Sequence, residues 1–258
     1  MAKNIITTVL ALVSLPALAG SSGPIIEQPA TPPAEVSPWE FRMALYGWAE
    51  GLDGDIGFLG KTASVDVGFS DIVKELDMGF MGAFQVSRGR WSLVTDLVYA
   101  DIGADDKIAD ISMDFKEQQI LGNLTINYEA MKTESMVLFL YAGARVNWMD
   151  FTLELDDSKT PNRDFKESQS QSWVDPIIGA RFAADLSEKF FFYTSGDIGG
   201  FDVSSQLTWQ AMAGFGYRIT DNGSLLLGYR AIGTDYTDGG FTYDVVASGP
   251  IIGFEYKF

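Results

Sequence analysis

The stretch Gly249-Pro-Ile-Ile-Gly-Phe-Glu-Tyr-Lys-Phe258 alternates residue by residue. Ile252, Phe254, Tyr256 and Phe258 lie on one side, and Ile251, Gly253, Glu255 and Lys257 on the other. A period of two is the signature of a β-strand with one apolar face. Here the apolar stripe runs to the last residue, with no polar tail behind it.

The same period recurs upstream. It is carried by Trp39, Phe41, Met43 and Leu45, by Trp91, Leu93, Leu97 and Tyr99, and by Leu138, Leu140, Ala142, Ala144, Val146 and Trp148. Trp209, Ala211, Ala213, Phe215 and Tyr217 repeat it, as do Leu225, Leu227 and Tyr229. Short connections with turn chemistry (88–90, 129–135, 185–189, 220–224) alternate with longer acidic ones (51–76, 101–114, 152–170, 199–206, 233–242). Such alternation predicts an all-β, up-and-down antiparallel barrel, with tight turns at one end and loops at the other. About ten strands are expected, with 8–12 as the range: 39–50, 77–88, 90–101, 115–129, 135–151, 170–184, 189–199, 206–218, 224–233 and 243–258. The 51–76 connection leaves ten or twelve open, because Asp55 to Phe69 reads either as an extended hairpin tip or as a further strand pair. After it, Ser70 is a plausible N-cap for one or two helical turns carrying Ile72, Val73 and Leu76, expected on or inside the barrel.

Between the apolar positions lie Glu40, Arg42, Gln85, Asp96, Glu117, Asn123, Asn127, Arg145, Asn147, Asp175, Arg181, Asp197, Gln210, Arg218, Arg230, Glu255 and Lys257. Periodicity alone permits a soluble barrel with these in water, or a membrane barrel with these inside. Trp91 and Tyr99 share a parity, as do Trp209 and Tyr217. Eight strand positions at a 40° tilt separate the rings by about 20 Å along the axis, which suits two aromatic girdles. Trp39 and Trp148 join these girdles, and the reading becomes a closed transmembrane β-barrel. A strand ending in Phe258, with Tyr256, Phe254 and Ile252 before it, resembles the assembly signal of Gram-negative outer-membrane proteins. "WEFRMALYGW", "GFSDIVKELD", "GRWSLVTDLVY", "AGFGYR" and "LLLGYR" likewise resemble stations of the outer-membrane β-barrel superfamily, among porin-like, OmpA-like and OmpW-like barrels. The resemblance covers the chain from Trp39 onward. It implies the fold, the outer membrane as location, contact with membrane lipid and lipopolysaccharide, and recognition of the final strand by the insertion machinery. It leaves activity open.

The N-terminal residues fit export. Lys3, the apolar run from Ile5 to Leu15 and Ala17-Leu18-Ala19 read as a secretory signal peptide cut after Ala19, giving segment 1–19. Segment 20–38 holds Pro24, Pro29, Pro32, Pro33 and Pro38, of nine prolines in the chain, and reads as a flexible leader before the barrel domain at 39–258. After the signal segment, uncharged stretches such as Val203 to Tyr217 are too short and too rich in Ser, Thr and Gln for a spanning helix, which needs ~20 apolar residues. A formal charge of −17 argues against nucleic acid as a partner.

The chain contains no histidine and no cysteine, which removes imidazole- and thiolate-ligated metals, disulfides and the usual base of outer-membrane hydrolases. No cofactor is expected, and an enzyme is disfavoured. Asp53-Gly-Asp55-Ile-Gly57 opens like a calcium loop but lacks the later ligands and the closing Glu, so it reads as a solvated acidic loop. Asp101, Asp105, Asp106 and Asp110 show no ordered ligand spacing and suggest at most divalent bridging to lipopolysaccharide phosphates. The inward set Arg42, Asp96, Glu117, Arg145, Asp175, Arg181, Asp197, Arg218, Arg230 and Glu255 is read as a charged lumen. It fills a narrow interior as paired charges, with the 71–76 segment as an added obstruction, or it lines a solute-selective pore; the filled interior is favoured. The functional expectation is a structural or surface barrel, with a narrow small-solute channel left open. The alternative is an adhesin or ligand-binding barrel acting through its acidic loops.

Overall fold

The computed structural model describes residues 37–58, 61–72, 74–108, 111–157 and 165–258. The signal-peptide reading and all of the leader before Ser37 lie outside these residues, as do Val73 and Asp110. The described strands are β1 (Trp39–Trp48), β2 (Gly51–Phe58), β3 (Lys61–Val67), β4 (Leu76–Arg88), β5 (Trp91–Ile108), β6 (Ile111–Lys132), β7 (Met136–Asp157), β8 (Phe165–Asp185), β9 (Phe190–Gly200), β10 (Leu207–Arg218), β11 (Gly223–Asp238) and β12 (Phe241–Lys257). One helical turn, α1 (Phe69–Ile72), lies between β3 and β4.

Ten of these strands form a closed antiparallel ring, β1-β4-β5-β6-β7-β8-β9-β10-β11-β12, shut by pairing of β12 with β1. Across that seam Met43 faces Tyr256, Leu45 faces Phe254 and Gly47 faces Ile252. The Phe258 amide donates to the Phe41 carbonyl at 2.9 Å, so the C-terminal stripe completes the wall. Closure leaves no free strand edge within the ring, as a strand-built membrane span requires.

The ambiguity over ten or twelve strands has a geometric resolution. After a break at 49–50 the first stave resumes as β2, which stays on β12 with Gly51 opposite Ser248. It turns back through β3, which pairs with β2, and the chain enters the ring again at β4. The extra pair is thus a hairpin standing on the loop end.

Most of the expected long loops are strand. β6 and β7 each run for 22 residues, about twice the 9–11 that cross a bilayer, so these hairpins continue well past the lipid. The expected 233–242 loop is a tight turn at Gly239 and Gly240, with φ of 56° and 88°. Two successive left-handed residues suit a two-residue hairpin, and glycine adopts them without a Cβ clash. Acidic composition had suggested solvated loops there; cross-strand pairing overrides it, since Asp235, Tyr236 and Thr237 simply face Asp244, Tyr243 and Thr242. The helix also differs from expectation. The amides of Asp71 and Ile72 donate to the Gly68 carbonyl, which puts the cap two residues before Ser70. Phe69, Ser70 and Asp71 are exposed, so α1 does not obstruct the lumen.

Side-chain burial settles which face meets what. Ile252, Leu227 and Ile126 are 67, 61 and 59% exposed, whereas Arg145 and Asp175 are 0% exposed. That is the inverse of a water-soluble barrel and matches a wall bathed in hydrocarbon. The turn end carries Trp39 beneath Arg88 and Trp91 against Tyr128, with Phe190 against Tyr217. On the other side of the band, Tyr99, Ile120 and Trp148 stand in one lateral row across β5, β6 and β7, and Trp209 lies on β10 opposite Ile198 and Gly233.

Candidate functional site: a crossed lumen above a turn-end vestibule

The inward positions of the ring converge on two arginines. Arg145 on β7 donates from Nε to Asn123 Oδ1 at 2.9 Å, from Nη1 to Thr208 Oγ1 at 2.8 Å and from Nη2 to Asp197 Oδ1 at 2.8 Å. The second oxygen of Asp197 accepts from the Tyr141 hydroxyl at 3.0 Å. Arg230 on β11 reaches Asp96 Oδ1 at 2.9 Å, Gln210 Oε1 at 2.7 Å and the Tyr46 hydroxyl at 2.9 Å. Tyr46 in turn donates to Asp96 Oδ2 at 2.8 Å. The Asn123 amide joins the two assemblies by donating to Asp96 Oδ1 at 3.4 Å. Since β5 and β11 lie on facing walls of the ring, this network spans the interior. With Arg145 and Asp197 at 0 and 2% exposure, its charges depend on one another and not on water.

Apolar side chains surround and cap this crossbar. Trp48 lies under the Arg230 guanidinium at 5.0 Å and belongs to a cluster with Val98, Leu121, Ile232 and Ile251. Toward the loop end, Met149, Phe151, Trp173, Tyr236, Phe241, Tyr243 and Val245 form a second core inside the wall, against which Leu52, Ile56 and Val65 of the β2–β3 hairpin pack. Trp173 and Tyr236 stack at 4.2 Å with planes 6° apart, tying β8 to β11 beyond the short β9–β10 hairpin. Seen from the loop end, the lumen is filled by aromatic rings and then crossed by hydrogen-bonded charge.

Below the crossbar the interior widens. A cavity of about 830 Å³ reaches from Arg230 and Asp96 down to the turn residues Gly89, Glu134 and Asn222, where it opens. Glycines on its wall make room for rings. A Cβ on Gly214 would lie 2.6 Å from the Tyr193 hydroxyl, and one on Gly216 would lie 2.0 Å from the Phe191 ring.

The ten residues expected to form one lumen network divide into distinct arrangements. Arg145–Asp197 and Arg230–Asp96 make the crossbar. Arg42 pairs with Glu255 at 3.6 Å in the vestibule. Arg218 sits at the mouth, paired with Asp185, which sequence reasoning placed in a turn. Arg181 hydrogen-bonds to neutral Gln85. Asp175 stands apart from the charge network: its two oxygens accept from the Ser205 amide at 2.8 Å and the Ser205 hydroxyl at 2.7 Å. It thereby clamps the β9–β10 loop, where Phe201 and Asp202 hold left-handed φ of 53° and 58°. Glu117 also stands outside the network. It lies nearer the loop end, opposite Phe151, with Glu50 and Tyr243 as electrostatic neighbours and no ion pair among the described residues.

The sequence reading missed Tyr46, Trp48, Thr208 and Trp173. Tyr46 and Trp48 share the parity of Glu40 and Arg42, and Trp173 that of Asp175, so period two placed them inside; their apolar character hid it. Asp53 and Asp55 lie in β2 and not in a loop, with Asp55 accepting from Ser64 at 2.6 Å. Among the described residues no three His, Cys, Asp or Glu side chains converge as a metal site. The side chains at 105, 106 and 110 lie outside the description.

No protein-family model and no curated protein matches the chain. Solved structures do. The outer-membrane protease OmpT of Escherichia coli aligns over 86% of this chain and 97% of its own, at 12% identity and a TM-score of 0.52. The transport unit of the autotransporter AIDA-I of Escherichia coli aligns over 91 and 94%, at 9% identity and a TM-score of 0.42. Ail, the attachment invasion locus protein of Yersinia pestis, aligns over 86 and 99%, at 12% identity and a TM-score of 0.34. At these identities the likeness to OmpT speaks to architecture alone, and it agrees with the inverted burial and the closed ring. The chain is an integral, lipid-embedded β-barrel of the outer-membrane type.

Proposed function

We propose that this protein is a closed outer-membrane barrel with a structural or surface role, blind toward the cell exterior and open toward the periplasm, rather than a through-going channel. The observation that carries this reading is the pair of obstructions in series: the Arg145–Asp197 and Arg230–Asp96 crossbar, and the Trp173–Tyr236–Phe241 core beyond it. Tight turns mark the periplasmic end of such barrels and longer hairpins the outer end. The turn-end opening therefore faces the periplasm. Reconstitution into planar lipid bilayers tests the reading: an undisturbed baseline is expected, and steady single-channel openings would overturn it.

The long β5–β6 and β7–β8 hairpins favour a second reading, in which the outer end binds an extracellular ligand or the lipopolysaccharide around it. Shortening these hairpins would then abolish cell-surface binding while the barrel still assembles. The reading includes no hydrolytic chemistry, because no imidazole is present to activate a nucleophile or a water. It also assigns Ile252, Phe254, Tyr256 and Phe258 to recognition by the insertion machinery, which their place on the closing strand supports.

A further inference from the structure

Arg181 is an exception in the lumen. It extends from β8 to Gln85 on β4, donating from Nη2 to Oε1 at 3.1 Å, with its guanidinium carbon 5.0 Å from the centre of the Phe139 ring. The other inward arginines, Arg42, Arg145, Arg218 and Arg230, each meet a carboxylate; Arg181 has no ion pair among the described residues. The acid that acts on it, Glu255, is engaged by Arg42, which is itself a further positive neighbour of Arg181. Two guanidiniums and one carboxylate leave this level of the vestibule with an excess positive charge, in a chain whose total is −17.

A guanidinium carries five N–H donors in a planar fork suited to a carboxylate or phosphate. Here the ring of Phe139 fixes one face and Gln85 occupies one donor, and the Arg181 side chain lines the cavity with no carboxylate paired to it among the described residues. A purely structural contact between β8 and β4 would be served by a neutral pair, since an unmatched charge in a confined lumen is costly. The volume of about 830 Å³ falls within the usual range for small-molecule sites.

We propose that Arg181, with Arg42 beside it, binds the oxyanion head, carboxylate or phosphate, of a small soluble solute entering from the periplasm. The site rests on the reading that the turn end opens to that compartment. Phe139, Phe191 and Tyr193 offer apolar surface to the rest of such a solute.

The test uses the full barrel refolded in a non-ionic detergent, titrated with inorganic phosphate by calorimetry at constant ionic strength. One saturable site is expected. Arg181→Gln should weaken it by about tenfold or more, as loss of a charge-assisted, forked contact implies. Arg181→Lys, which keeps the charge and loses the fork, should fall between the two and covers the case in which the Gln variant fails to fold. Arg218→Gln, which removes the paired arginine at the mouth, should bind as the wild type does. Absence of saturable binding, undiminished affinity in the Arg181 variants, or an equal loss on Arg218→Gln would overturn the site. Conductance across bilayers would instead overturn the closed-barrel reading and leave this site standing.

Discussion

Replacing Arg145 by Met probes whether the crossbar stands in a dry interior. The change deletes three hydrogen bonds of 2.8–2.9 Å and strands Asp197, which keeps only the Tyr141 hydroxyl. Removing one member of a buried ion pair costs about 3–5 kcal/mol, most of it from the carboxylate left without its partner. Arg145→Met should therefore lower unfolding stability by about that amount. Replacing both members, Arg145→Met with Asp197→Leu, should restore much of it, because two well-packed apolar groups incur no desolvation of charge. Urea-induced unfolding of the barrel in phospholipid vesicles, followed by tryptophan fluorescence, measures both variants. A loss below about 1 kcal/mol for Arg145→Met, the size found for water-exposed pairs, would refute the dry crossbar, and with it the closed lumen.

Trp173→Ala removes the stack on Tyr236 and empties part of the loop-end core; a loss of about 3–5 kcal/mol is expected, together with new protease cleavage of the outer hairpins in intact cells. A charge on the lipid face should cost by depth: Leu124→Arg, midway between the Trp91–Tyr128 and Tyr99–Ile120 rows, is expected to destabilise by about 2–4 kcal/mol in vesicle unfolding. Gly216→Val would drive a side chain into the Phe191 ring, and the variant should fail to acquire the heat-resistant, fast-migrating form on gels that marks a closed barrel. Wild-type migration there would show that the vestibule wall is looser than its packing implies.

An approximate strand number, the turn end and the two faces of each strand were legible in the residues because period two is a local property, while ten or twelve strands stayed open. Parity alone separates Trp39, Phe41, Met43 and Leu45 from Arg42, and the spacing of the aromatic girdles with the ending at Phe258 then assigned the apolar face to lipid and the arginine face to the interior. The outer hairpins were misread as loops, since acidic composition is a weak guide once β5 pairs with β6 out to Ile108 and β7 with β8 out to Leu155. Inward direction also does not say which charges meet. Arg230 finds Asp96 and Tyr46 at separations of 134 and 184 residues, and Asp175 finds Ser205 instead of an arginine. Those pairings follow from ring order and stagger, which place side chains from non-adjacent strands at one height. The amino-acid pattern by itself therefore determined a lipid-facing barrel with a polar interior. Only closure of the ring decided that this interior is crossed by charge, capped by rings and lined by Arg181 without an ion pair among the described residues, because contacts across a lumen depend on the positions of strands far apart in sequence.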